Sequence, residues 1–164
     1  MNIEEELKNC NKSSVCVKFF TDKEGNYILC PYGRSPTRSW IGLSKLDYFI
    51  EGNYKKDSKE VILPKIYECI NVSMNFDKLN INRCVSSTDK LSSFIKKAKK
   101  EKYDGFSAIS IDLDPDKDGI EIVEWEKVGK SGNEWRGNPD TFISLKYDSV
   151  DSKLVESIFA FIKF

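Results

Sequence analysis

The sequence predicts an α+β fold, with two antiparallel β-sheet plus helix units in a pseudo-twofold internal repeat and a single domain over residues 1–164. Three observations lead there. Residues 106–113 and 120–128 alternate apolar and polar side chains around Asp114-Pro115-Asp116-Lys117-Asp118-Gly119, the pattern of a β-hairpin. Residues 13–20 and 27–33 flank a second turn cluster, Asp22 to Asn26, in the same way. The sequel to each hairpin is also matched: a polar loop with an aromatic and an arginine, a strand, Asp-Ser-Lys at 57–59 or 151–153, and an apolar-faced helix. The repeat halves run over about 13–72 and 88–164.

Composition bounds the function. Forty per cent apolar residues, with ten Phe and three Trp in 164 residues, suffice for a real core. Twenty-six basic residues balance twenty-six acidic ones, so net charge gives no support to a nucleic-acid binder. Five cysteines without a Cys-x-x-Cys pair argue against a disulfide framework and a zinc site, and fit reduced thiols in the cytosol. The chain has no histidine, which excludes Ser-His-Asp and Cys-His catalysis and the commonest zinc ligand. The acidic start MNIEEELKNC lacks the apolar region of a signal peptide, and no run reaches membrane-span length, so a soluble cytoplasmic protein is expected.

In order along the chain, Ile3 and Leu7 share one face of a short helix over 2–9. The first hairpin follows, its second strand ended or distorted by Pro31 and Gly33. Residues 33–39 read as loop, 39–50 as a strand and 51–58 as loop again. Ile62, Ile66, Cys69 and Ile70 have helical spacing, and a start near Leu63 would put Pro64 in the first turn. Residues 71–88 are polar and read as the connection between halves. Thr88 caps an amphipathic helix bearing Leu91, Phe94, Ile95 and Ala98 on one face and lysines on the other. Beyond the second hairpin, residues 129–140 read as a loop carrying Trp135 and Arg136, then 141–147 as a strand. The terminal helix, capped by Asp151 or Ser152, buries Val155, Ile158, Phe159 and Ile162.

Several groups invite a chemical role. Asp114-x-Asp116-x-Asp118-Gly119 matches half of a calcium loop, but the twelfth position is Trp125 rather than a bidentate glutamate, and an acidic hairpin tip explains the pattern. Asp112, Glu121, Glu124 and Glu126 could act as an acid/base pair, and a solvated sheet face explains them better. Lys96, Lys97, Lys99, Lys100 and Lys102 form the polar side of a helix. Arg34, Arg38 and Trp40 in one loop, with Trp135 and Arg136 in its counterpart, have the residue types of interface hot spots. An acidic tip of Asp112, Asp114, Asp116 and Asp118, with Glu124, would suit a basic partner.

Short motifs carry a family likeness. They are Tyr27-Ile28-Leu29-Cys30-Pro31-Tyr32-Gly33-Arg34, the Asp57-Ser58-Lys59 helix start, Phe94-Ile95-Lys96-Lys97-Ala98, Ile120 to Trp125, and Ala160-Phe161 in the terminal helix. Together they resemble the contact-dependent growth inhibition immunity proteins of the CdiI type, over about residues 20–163. The chain departs from that pattern at Val61-Ile62, Leu154-Val155 and Glu124-Trp125. The resemblance implies a cytoplasmic protein without catalysis or cofactor that binds a cognate toxin C-terminal domain, usually a nuclease, and touches neither membrane nor nucleic acid. The alternative reading is a single-stranded nucleic-acid-binding domain using aromatics and the lysine run. An enzyme working through carboxylates alone is a third.

Overall fold

The computed structural model describes residues 2–10, 14–33, 44–84, 90–128 and 134–162. In chain order the elements are α1 (Ile3–Asn9), β1 (Val15–Asp22), β2 (Asn26–Gly33), β3 (Ser44–Lys45), β4 (Ile50–Asn53), α2 (Lys59–Asn75), α3 (Lys90–Lys100), β5 (Phe106–Leu113), β6 (Ile120–Val128), β7 (Glu134–Leu145) and α4 (Val150–Phe159). A single 3-10 turn at Tyr147–Ser149 leads into α4.

Both expected hairpins form, but they do not head separate sheets. β1 pairs antiparallel with β5 from Val15 opposite Leu113 to Asp22 opposite Phe106. The result is one seven-stranded antiparallel sheet in the order β3-β2-β1-β5-β6-β7, with β4 also on β2. The cause lies in β1 itself. Val15, Val17 and Phe19 are buried on one face, Cys16 and Phe20 on the other. A strand buried on both faces needs a partner on both edges to satisfy its backbone, so it belongs in the middle of a sheet.

Helices cover the sheet unequally. Ile3 and Leu7 of α1, Ile62, Ile66 and Ile70 of α2 and Leu154 and Ile158 of α4 pack with Val17, Phe19, Leu29, Ile109, Ile111 and Ile122 on the first face. α3 lies on the second face, where Leu91 joins Phe20, Ile28, Cys30 and Ala108. Phe94 meets Phe106 edge-on at 5.3 Å between ring centres.

α2 begins four residues earlier than the proline suggested, with Pro64 inside it. Pro64 is exposed, so water can hydrate the carbonyl that its missing N–H leaves unbonded. The helix then runs on through residues read as a connection. Val72 and Met74 are buried, and Ser73 Oγ accepts from Cys16 N at 3.1 Å and donates to Tyr32 O at 2.5 Å. One hydroxyl thus ties the end of α2 across the first hairpin. Of the strand expected over 39–50, the described residues form Ser44–Lys45, a bridge from Leu46 to Arg83, and Ile50, where β4 (Ile50–Asn53) begins and runs on into the segment read as loop.

β7 is a second correction. Trp135 and Arg136 belong to this strand, opposite Lys127 and Glu126, not to a loop. The ladder breaks at Glu124: pairing jumps from Trp125–Gly137 to Val123–Phe142, so residues 138–141 bulge from the edge. Pro139 sits in that bulge, where no ladder donor is required. The turn between β5 and β6 closes on Gly119, at φ +138°, where a Cβ would stand 2.2 Å from the Leu145 carbonyl oxygen.

Candidate partner-binding site

The second sheet face can be laid out from its cross-strand register. Tyr32, Cys16, Asp112, Glu121 and Ser144 form one row across β2, β1, β5, β6 and β7. Cys30, Lys18, Ser110, Val123 and Phe142 form the next. Ile28, Phe20, Ala108, Trp125 and Gly137 form a third, and the cluster that α3 seals with Leu91, Phe94 and Ile95 contains its first four members. The helix therefore covers mainly this third row, Trp125 included, while Cys30 and Tyr32 at the β2 ends of the other two rows pack on the same cluster and Lys18, Ser110 and Asp112 supply the polar groups.

Lys18 is the centre of that region. Its Nζ stands 3.7 Å from the Trp125 ring centre and 4.3 Å from that of Tyr32, inside the range of a cation–π contact with each. Burial pulls the Lys18 amine below its ordinary pKa, against the opposing pull of Cys16 and Asp112. Burial pushes the Asp112 carboxyl up, while hydrogen bonds from Cys16 and Ser110 and the charge of Lys18 work against it. Ser110 Oγ donates to Asp112 Oδ2 at 2.9 Å. The Cys16 thiol is pushed well above its usual value by burial and then by Asp112, which makes it inert as a nucleophile at neutral pH. Among the described residues the enclosed Nε1–H of Trp125 has no hydrogen-bond partner. Each enclosed donor left unmatched costs about 1–3 kcal/mol.

These groups do not compose a nucleophile, base and oxyanion donor set. They compose a patch of aromatic rings around a desolvated amine, bordered by Phe142, which is 52% exposed on the outer strand. Tyr and Trp are among the residue types enriched at interface hot spots.

The hairpin tip is a separate surface. Asp114 Oδ1 accepts from Asp116 N at 2.9 Å, so Asp114 shapes the turn. Asp116 and Asp118 are exposed, and Lys117 pairs with Glu121 at 3.0 Å. Among the described residues no three metal-ligating side chains gather. Asp112 is not part of this tip: strand alternation turns it inward beside Ser110. Glu124 is half-buried at the β6 irregularity. Arg34, Arg38 and Trp40 lie outside the described residues, and Trp135 and Arg136 are described only as backbone positions in β7. Lys18, Tyr32 and Trp125 escaped the sequence reading as a site. A lone lysine inside the otherwise apolar stretch Val15–Phe20 was the available signal.

No family model matches the chain, and no curated protein matches it. Among solved structures it is similar to a protein of unknown function from Neisseria meningitidis, with a TM-score of 0.57 and 10% identity over 91% of this chain and 94% of that one. At that identity the likeness is one of fold: the chain shares with that neighbour an α+β architecture over nearly its whole length.

Proposed function

We propose that this protein is a cytoplasmic immunity protein that binds the C-terminal toxin domain of a contact-dependent growth inhibition system and blocks it, the toxin being a nuclease. The observation that carries the reading is the patch built on Lys18, Tyr32 and Trp125, with exposed Phe142 beside it. It offers rings and a desolvated charge on a rigid sheet, which suits tight stoichiometric binding rather than turnover. The exposed Asp116 and Asp118 add a charge that would steer a basic nuclease surface. The motif resemblance supplies the biological setting. Capture of the tagged protein's partners from its host, identified by mass, tests it. A single partner mapping to the end of a very large secreted protein is expected, and recovery of nucleic acid instead would overturn it.

The internal duplication belongs to the same proposal. The order of elements is symmetric about the β1–β5 pair, with a hairpin and a further strand on either side. On this reading a fragment of residues 88–164 self-associates through β5, which takes the place of β1. A fragment that folds as a monomer would contradict it.

A further inference from the structure

A groove of about 700 Å³ lies between α3 and the β2–β4 edge, its Ile28 and Phe94 belonging to the same packed cluster as Tyr32 and Trp125. Lys90, Ser93, Phe94 and Lys97 line it from α3, at the spacing of a single helix face. Lys56, after β4, lines the opposite bank. The floor is apolar, with Ile28 and Phe94. Two carboxylates are present, and both are already engaged. Asp22 accepts from the backbone and side-chain amides of Asn26 at 3.0 and 3.1 Å. Glu51 pairs with Lys90 across the groove at 2.7 Å. Lys56 and Lys97 are exposed and have no ion-pair partner among the described residues. Three lysines against two carboxylates leave one net positive charge in the groove.

From this charge and shape we infer that the groove docks an acidic segment of the toxin partner: a carboxylate held by Lys56 and Lys97, with an adjoining aliphatic side chain on Ile28 and Phe94. The inference rests on the immunity reading and names a second contact surface for it. One net charge over an apolar floor fits a carboxylate side chain, whereas a phosphomonoester would leave charge unmatched.

The test uses the full-length protein and the toxin domain recovered with it. Binding is compared for the wild type, Lys56→Glu/Lys97→Glu and Lys100→Glu, the last being an exposed α3 lysine outside the groove. All three substituted lysines are exposed, so thermal melts of both variants should match the wild type within a few degrees. The groove pair is expected to weaken binding by about a hundredfold, roughly tenfold for each ammonium reversed. Lys100→Glu should change it less than about threefold. Equal binding by all three proteins would overturn the groove while leaving the immunity reading in place. Equal weakening by Lys100→Glu would reduce the effect to long-range steering and also overturn it. If no toxin domain is recovered with the wild type, or the recovered one fails to bind it once purified, both readings fall. If the groove pair abolishes retention of a single-stranded oligothymidine but not of the toxin domain, the groove is a nucleic-acid site and the inference is wrong.

Discussion

Tyr27→Phe isolates one polar network without disturbing the apolar packing around it. Tyr27 is 1% exposed, and its ring stacks on Phe19 at 5.0 Å. Its hydroxyl donates to Asp57 Oδ2 at 2.7 Å and accepts from Lys65 Nζ at 3.1 Å, while Lys65 and Asp57 pair at 3.3 Å. These three side chains join β2 to the start of α2. Phenylalanine keeps the stacked ring and removes only the hydroxyl, leaving the ion pair. A hydrogen bond to a charged group contributes about 1.5–3 kcal/mol, and partial access of water to the ion pair lowers that to about 1–2 kcal/mol. For a chain of this size the midpoint of thermal unfolding should fall by roughly 3–8 °C. The pH dependence gives the sharper check. The Tyr27 hydroxyl holds the Asp57 carboxyl below its ordinary value, with Lys65 and the Asn53 amide adding to the effect. A depressed carboxylate contributes stability that is full above the unfolded-state value near 4 and is lost as pH falls through the lower folded-state value. The gap between wild type and Tyr27→Phe in urea unfolding should therefore be widest at pH 7 and shrink toward pH 3. A gap under about 0.5 kcal/mol at pH 7, or one that widens in acid, would refute the reasoning.

Three further outcomes follow from the sheet. Asp112→Asn should leave the protein at least as stable as wild type at pH 7. The folded-state carboxyl is raised, so the wild type loses stability as pH climbs through the ordinary carboxylate value and the variant does not; urea midpoints across pH 4–8 read this directly. Trp125→Phe should stay within about 1 kcal/mol of wild type, because the unmatched indole donor disappears with the lost ring area, whereas Trp125→Ala should cost about 3 kcal/mol. If the proposed interface is right, both Trp125 variants also weaken capture of the toxin domain at least tenfold, a result of pull-downs at fixed protein concentration. Gly119→Ala should lower stability by more than about 2 kcal/mol, since its φ of +138° and the 2.2 Å approach to the Leu145 oxygen leave no relaxed position for a methyl group; an unchanged thermal midpoint would show that the turn can reshape.

Local periodicity revealed the elements better than their partners. The alternation in 106–113 and 120–128 and the i, i+3, i+4 spacing of Val155, Ile158 and Phe159 correspond to β5, β6 and α4. Pairing between β1 and β5 left no local trace beyond the apolar character of both faces of β1, and that was legible only as a strand. Residues 71–75 look polar, yet Ser73 is buried because its hydroxyl serves two backbone groups at once. Trp135 and Arg136 looked like loop residues because Gly132 precedes them and Gly137 and Pro139 follow, yet Gly137 pairs with Trp125 and the bulge opposite Glu124 takes up Pro139 within an edge strand. Aromatic and charged residues could be counted from sequence. Which of them meet, as Lys18 meets Trp125 and Tyr32, depends on a register that only the paired strands define.

The β1–β5 seam also sets a timetable for synthesis. β1 emerges from the ribosome early and can pair at once with β2, but its other edge waits for β5, since Val15 meets Leu113 and Asp22 meets Phe106. Until that distant partner is translated, an apolar strand stands with one row of amides and carbonyls open, a template for wrong pairing and a substrate for chaperones. Closure over so long a loop is slow, because the chain entropy is lost before the long-range pairing repays it. Premature termination before residue 106 should therefore leave aggregation-prone fragments that are degraded, with no smaller functional remnant.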